Sequence, residues 1–116
     1  MQYLLMIYSD ESEAASPGSD SFAELIKDYG TFTQNIIASG EFKAGDALQP
    51  SATATSVRVR GGERLLTDGP FAETREQLGG YYLVEAENLD RAIEIASQIP
   101  TAKYGTIEVR PISSHG

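Results

Sequence analysis

One run near the middle of the chain, residues 67–86 (TDGPFAETREQLGGYYLVEA), constrains the fold more than any other stretch. Its Asp68-Gly69-Pro70-Phe71 start is typical of a turn, because Asp bonds nearby backbone, Gly reaches positive φ and Pro fixes φ. A polar segment follows, and Gly79-Gly80 is predicted to turn the chain sharply into an aromatic and β-branched strand. The run thus predicts a turn, a loop and a mostly buried strand, but it does not indicate which reaction, if any, the protein catalyses.

The length of 116 residues predicts a single domain that can bury a core without disulfides or a structural metal. The chain has no cysteine, which excludes thiol catalysis and thiolate metal sites. A net charge of −8 argues against direct binding of nucleic acid, since a phosphate backbone repels an acidic protein. We expect a cytoplasmic protein with no membrane partner, because the apolar run Tyr3–Tyr8 is too short for a span and lacks a basic flank.

The first half of the chain predicts a strand, a loop and a helix. Residues 2–8 carry apolar side chains at both odd-numbered and even-numbered positions, which is typical of a central strand that is covered on both faces. Residues 9–21 are small and acidic, and they predict a surface loop. An apolar stripe with helical spacing then runs from Phe22 to Ile37. Ser21 with Glu24 has the form of a capping box, and Gly40 is the expected C-terminal cap.

The second half predicts a hairpin, three more strands and one more helix. The hairpin spans residues 53–67 around Gly61-Gly62, and Asn88 is the expected N-cap of the second helix. The stripe of that helix consists of Leu89, Ala92, Ile93, Ala96 and Ile99, before Pro100. The remaining predicted segments are strands at residues 41–48, 81–86 and 105–111, and a tail at 113–116.

Without the hairpin, the order is strand, helix, strand, strand, helix, strand. This order predicts an α+β domain of the split βαβ type, with both helices on one face of an antiparallel sheet. The hairpin is then an insertion that lies at the edge of the sheet or across a partner. Two helices cover one face only, so strands that are apolar on both faces predict a homodimer formed through the other face.

The central run also carries a family likeness. Asp68-Gly69-Pro70-Phe71, continuing to Tyr82, strongly resembles the DGPF family, a branch of the YCII-related domain proteins. The likeness extends to residues 1–8, 49–55 and 104–111, and so covers nearly the whole chain. The resemblance implies a ferredoxin-like domain that dimerises through its sheet as a dimeric α/β barrel.

The resemblance implies less about function. YCII-type relatives are suspected enzymes in which a histidine and an aspartate meet in a cleft between helix and sheet. In this chain the single histidine is His115, in the tail, so that pair is not expected. The resemblance implies that an aromatic residue such as Tyr29 takes the position of that histidine. Genes of DGPF proteins often lie beside genes for extracytoplasmic-function sigma factors, which implies a regulatory context and a sigma factor as a candidate partner.

Asp68 and Tyr29 are the predicted catalytic residues. A partly buried carboxylate with a raised pKa can act as a general acid or base, and a tyrosine hydroxyl can share that role. The alternative for Asp68 is structural, because its side chain can bond the backbone amides of its own turn. For Tyr29 the alternative is a core position whose hydroxyl has a hydrogen-bond partner.

Asp46, Glu73, Arg110 and Tyr81 are the predicted substrate-binding residues around them. Asp46 follows a strand glycine, so it either points into a cleft or shapes a bulge. Arg110 can clamp an anionic group or form a salt bridge, and Glu73 can serve a substrate or lie on a solvated loop. One histidine and no cysteine do not predict a transition-metal site, and no cofactor is predicted.

Three classes of function stay open. The first is a cofactor-independent enzyme that acts on a small molecule by carboxylate and tyrosine acid–base chemistry. The second is a non-catalytic protein that binds a small ligand or assists sigma-factor-dependent transcription. The third is a structural dimer. A closed pocket with a perturbed carboxylate favours the enzyme, and a pocket or surface without catalytic geometry favours the binding protein.

Overall fold

The computed structural model describes residues 1–114, so His115 and the end of the predicted tail lie outside the described residues. The strands are β1 (Gln2–Ser9), β2 (Phe42–Ala47), β3 (Thr55–Arg60), β4 (Glu63–Asp68), β5 (Gln77–Glu85) and β6 (Thr106–Pro111). The helices are α1 (Asp20–Ala38) and α2 (Leu89–Ser97), with short 3-10 turns at Glu11–Glu13, Ser51–Thr53 and Pro100–Lys103.

Four strands form one antiparallel sheet in the order β2-β5-β1-β6. This order is that of the ferredoxin-like fold, in which the first strand of each βαβ half lies next to the other at the centre of the sheet. The predicted α+β class, the split βαβ topology and the central place of β1 are therefore confirmed. No helix within residues 1–114 is both long and apolar enough to cross a membrane.

The core lies between the two helices and one face of this sheet. Alternate residues of β1 and β5 point into it, and Tyr82 packs edge-on against Phe32 of α1 with the ring centres 5.1 Å apart. Leu5, Ile95 and Val84 are at most 1% exposed. The buried members are Tyr3, Leu5, Ile7, Phe32, Ile36, Tyr82, Val84, Ala86, Ala92, Ile95, Ala96 and Ile99.

Helix α1 begins earlier than the sequence predicted. Its N-cap is Ser19, whose Oγ accepts a hydrogen bond from the amide of Phe22 at 3.1 Å, so the predicted cap at Ser21 is wrong. Ser19 has the extended backbone that a cap requires, whereas Ser21 already lies inside the helix. The predicted C-terminal cap is confirmed: Gly40 has φ +82°, and the amides of Gly40 and Glu41 bond the carbonyls of Ile37 and Ile36.

The Gly79-Gly80 pair lies inside β5 and does not form the predicted turn before it. The pairing with β1 shifts by one residue here, since Ile7 faces Gly80 and Tyr8 faces Leu78. A Cβ at position 80 would lie 3.0 Å from the carbonyl oxygen of Asp46 on β2. The glycines therefore permit a bulge and a close approach of two strands rather than a turn.

Helix α2 confirms part of the predicted stripe: Ala92, Ala96 and Ile99 are buried, whereas Leu89 is 47% exposed. Asn88 is its N-cap, as predicted, with Oδ1 accepting from the amide of Arg91 at 2.9 Å. Ile95 is buried, whereas Ile93 is 50% exposed. Both isoleucines fit a helical spacing with Ala92 and Ala96. The spacing of apolar residues therefore does not decide which side of α2 faces the sheet, and packing against the sheet does.

The predicted hairpin is confirmed as a unit separate from the four-stranded sheet. Strands β3 and β4 pair only with each other, and Gly61 and Gly62 both have positive φ in the connecting turn. We call Thr55–Asp68 the hairpin arm. All of its strand residues except Ser56 are exposed. The radius of gyration is 16.0 Å, against about 13 Å for a compact chain of this length, so the arm extends away from the core.

Candidate functional site

The face of the four-stranded sheet opposite the helices is uncovered, and it carries three of the six predicted site residues. Because side chains alternate along a strand, the residues between the core positions of β1 and β5 point to this side. None of them is buried. We call this surface the open face; it consists of Leu4, Met6, Tyr8, Ala44, Asp46, Tyr81, Leu83, Glu108 and Arg110.

A row of four paired residues crosses the open face. Asp46 on β2 pairs with Tyr81 on β5, Tyr81 pairs with Met6 on β1, and Met6 pairs with Glu108 on β6. The hydroxyl of Tyr81 donates a hydrogen bond to Oδ2 of Asp46 at 2.8 Å. This bond to the Asp46 carboxylate raises the pKa of the Tyr81 hydroxyl, because ionised Tyr81 would face a negative charge.

A second row lies beside the first and is mainly apolar. It runs from Ala44 through Leu83 and Leu4 to Arg110. The guanidinium of Arg110 bonds the carboxylate of Glu108 at 2.6 Å, and both side chains are well exposed. Arg110 therefore forms a salt bridge, which is one of the two roles that the sequence allowed for it. Asp46 and Arg110 lie on opposite edge strands, roughly 14 Å apart across three strand spacings.

Tyr29, a residue of α1, lies on the other side of the sheet, where it is partly buried against the core next to the turn at Pro100–Lys103. Its hydroxyl bonds Oγ1 of Thr101 at 2.5 Å. Burial raises the pKa of the Tyr29 hydroxyl, and the hydrogen bond between Tyr29 and Thr101 opposes that rise. Nearby, Thr33 bonds the hydroxyl of Tyr82 at 2.7 Å. The Tyr29 hydroxyl therefore has a hydrogen-bond partner, which is what a purely structural role of Tyr29 requires.

Asp68 and Glu73 are both exposed. Asp68 ends the hairpin arm, opposite Thr55, and Glu73 lies in the loop that follows. Among residues 1–114, neither carboxylate has a hydrogen-bond or ion-pair partner. A single chain therefore does not bring the six predicted residues into one site, and the catalytic roles of Asp68 and Tyr29 stay predictions.

A set of hydrogen bonds joins the polar part of the central run, and the turn before the hairpin arm, to the loop after β1 and to β6. Both oxygens of the Glu11 carboxylate accept from Ser51, one from the amide at 2.8 Å and one from the hydroxyl at 3.0 Å. The amide of Glu11 donates to the side chain of Gln77 at 3.0 Å, and Thr106 donates to Glu76 at 2.8 Å. Sequence analysis missed this network because its members are up to 66 residues apart along the chain.

Two shallow depressions occur on the helix side, and neither contains a predicted site residue. One has a volume of about 250 Å³ between α1 and the residues after α2, with Asp28 and Lys103 at its rim. The other, of about 280 Å³, is an apolar groove between α2 and β6 that includes Ile93 and Val109. The described residues form no group of three or more acidic or histidine side chains that could hold a metal ion.

The chemistry available on the open face is hydrogen bonding beside an apolar surface. Asp46 is a negatively charged acceptor with one oxygen beyond its bond to Tyr81. Tyr81 stays protonated at neutral pH, so it is a donor and not a base. Met6, Leu4 and Leu83 supply an apolar floor next to this pair.

The topology and this uncovered sheet define a ferredoxin-like α+β domain with an inserted hairpin. The chain belongs to the YCII-related domain family, whose match covers residues 1–115. It is also similar to an uncharacterised protein from Rhizobium meliloti (strain 1021), with 32% identity over 115 residues. That similarity covers 97% of this chain and 93% of the relative.

Proposed function

We propose that this YCII-related protein binds a small molecule on the open face, and that two copies of the chain enclose the site. The ligand would have an apolar body and a hydroxyl or ammonium group. The body would contact Leu4, Met6 and Leu83, and the polar group would bond Asp46 beside Tyr81.

The observation that carries the proposal is the 2.8 Å hydrogen bond between Tyr81 and Asp46, set beside an apolar surface that the helices do not cover. A few placed polar groups in an apolar surround are typical of small-molecule sites. The negative charge of Asp46 favours a donor or a cation over an anion, and the net charge of −8 favours the same choice.

A second copy is part of the proposal because the open face is flat in one chain. Small-molecule sites bury most of the ligand, which a flat sheet cannot do alone. A homodimer through this face would supply the missing wall, and a two-fold arrangement places the same surface on both chains.

Acid–base catalysis at the same pair is the second candidate function. The pairing of a carboxylate with a protonated phenol favours it, since Asp46 could accept a proton from a substrate while Tyr81 donates a hydrogen bond. In that case the enzyme would need no cofactor. The association with sigma-factor-dependent transcription and the cytoplasmic location stay predictions.

A fragment screen by ligand-observed NMR tests the proposal. The set contains aromatic amines, aromatic alcohols and, as the charge-reversed group, aromatic carboxylates of similar size. We expect amines and alcohols to bind, and we expect Asp46→Asn to weaken the amines by about tenfold, because a charge-assisted hydrogen bond becomes a neutral one. Tyr104→Phe is the matched control, since Tyr104 is 62% exposed and lies outside the open face.

The screen has a clear contrary result. Binding of carboxylates alone, or binding that Asp46→Asn leaves unchanged, would place the site elsewhere. Turnover is tested on the amines and alcohols that bind, by following product formation with the wild type and with Asp46→Asn. Loss of turnover with retained binding of the alcohols would favour the catalytic candidate.

A further inference from the structure

The hairpin arm is the largest feature of the chain that nothing covers. Two-stranded hairpins are marginally stable at best in water unless they pack against something else. This one presents large apolar side chains to solvent: Val57 is 58% exposed, Val59 59% and Leu66 58%. An isolated hairpin with this composition requires a packing partner to be a stable element.

Its apolar residues gather on one side. Directly opposed residues of an antiparallel pair point to the same face. Val57 pairs with Leu66 and Val59 pairs with Arg64, so these four share one side, which we call the arm face. The other side carries Arg58 opposite Leu65 and Arg60 opposite Glu63, and it is the more polar of the two. The arm therefore has a preferred docking side.

The open face of the sheet has the complementary character. It offers an apolar strip in Leu4, Met6 and Leu83, bordered on one edge by the carboxylate of Asp46 and on the other by the ion pair of Glu108 with Arg110. The arm face offers an apolar strip with one cation, Arg64, and one anion, Asp68, which pairs with Thr55 at the base of the arm. The hairpin arm has three arginines against two acidic residues, whereas the whole chain has a net charge of −8. Attraction between the arm and the body of another copy follows from this charge distribution.

We propose that the arm face of one copy packs against the open face of a second copy, with Arg64 beside the acidic border of the sheet. The inference rests on the proposed function, because it specifies what encloses the site around Asp46 and Tyr81. The site would then be complete only in the dimer, and each chain would close the site of the other with its hairpin arm.

Chemical cross-linking can locate the arm directly, because the natural chain contains no cysteine. Two differently tagged copies are co-expressed, one with Val57→Cys and the other with Leu4→Cys, and treated with a short bismaleimide. The matched control replaces Val57→Cys by Leu65→Cys, on the other side of the same hairpin. Met6→Cys is made in parallel with Leu4→Cys, so that the result does not depend on one position.

We expect a cross-link between the two tags to form at least about tenfold faster from Val57→Cys than from Leu65→Cys, since only the arm face would lie on the partner sheet. Arg64→Glu should slow the same cross-link, because it places a negative charge beside the carboxylates of the open face. Equal rates from both sides of the hairpin, in a protein that light scattering shows to be dimeric, would overturn the inference and leave the dimer of the proposed function standing. A monomer at tens of micromolar would overturn both.

Discussion

At the scale of single residues, the interactions that hold this domain together join distant parts of the chain. Arg91 on α2 donates two hydrogen bonds to Glu41, which precedes β2, at 2.7 and 2.8 Å. The two residues are 50 positions apart, and no local pattern pairs them. Both are partly buried, so this bidentate pair is less screened than a surface ion pair.

The Glu41 pair gives a pH dependence with a defined sign. The bonds from Arg91 hold the pKa of Glu41 below its usual 4.5. The pair therefore contributes stability above about pH 4.5, and this contribution is lost as the pH falls through the lower pKa of the folded state. We expect Glu41→Gln to lower the free energy of unfolding by about 1–2 kcal/mol at pH 7, with the difference shrinking below pH 4.

Urea unfolding at several pH values measures this difference. Glu94→Gln is the control, because Glu94 also contacts Arg91, at 3.2 Å, but is 63% exposed. Its effect should stay within about 0.5 kcal/mol. A loss for Glu41→Gln that is the same at every pH would mean that packing of the side chain, and not its charge, is what matters.

At the scale of elements, caps and bulges set where each helix and strand begins and ends. The hydroxyl of Ser19 caps α1, whereas Ser21 lies inside the helix two residues later. Both serines precede the apolar stripe, and Glu24, three residues after Ser21, made Ser21 the predicted cap. The backbone conformation, extended at Ser19, decides for Ser19 instead.

The two serines provide a matched pair of variants. Ser19→Ala should lower the free energy of unfolding by about 1 kcal/mol, because the amide of Phe22 loses its acceptor. Ser21→Ala should change it by a few tenths at most, since alanine is the better helix former. Urea unfolding of both variants provides the measurement. A larger loss for Ser21→Ala than for Ser19→Ala would return the cap to Ser21, and an equal loss would mean that the Ser19 hydroxyl contributes nothing as a cap.

At the scale of the whole molecule, the domain leaves apolar side chains uncovered on two surfaces, the open face and the hairpin arm. Its extents are 48 × 43 × 19 Å, a flat shape in which the sheet has a layer of helices on one side only. An antiparallel sheet commonly packs one face on the core and presents a polar face to water. Here that face is apolar along both central strands.

We therefore expect a homodimer at micromolar concentration, measured by light scattering. Leu83→Asp should shift it to monomer, because the substitution places a charge at the centre of the interface. Leu89→Asp is the control: Leu89 is 47% exposed, but it lies on α2, on the opposite side of the sheet. Circular dichroism confirms that both variants fold. A wild type that is monomeric would contradict the expectation.

The sequence by itself determined the order of the elements, the central place of β1, the hairpin and its turn, and the caps at Gly40 and Asn88. These features depend on local chemistry: the period of apolar residues, the freedom of glycine at positive φ, and the ability of a side chain to replace a backbone partner. The stretch from Asp68 to Tyr82 also resembled the DGPF branch, and the match to the YCII-related domain family confirms the broader family.

Only the tertiary structure decided which residues face each other. It placed Asp46, Tyr81 and Arg110 on the open face and Tyr29 against the core, although all four were predicted to surround one site. It also chose Ile95 over Ile93 for the core and tied Glu11 to Ser51. The physical reason is that strand pairing and helix packing join residues tens of positions apart, and a local pattern specifies which side chains share a face but not what that face will meet.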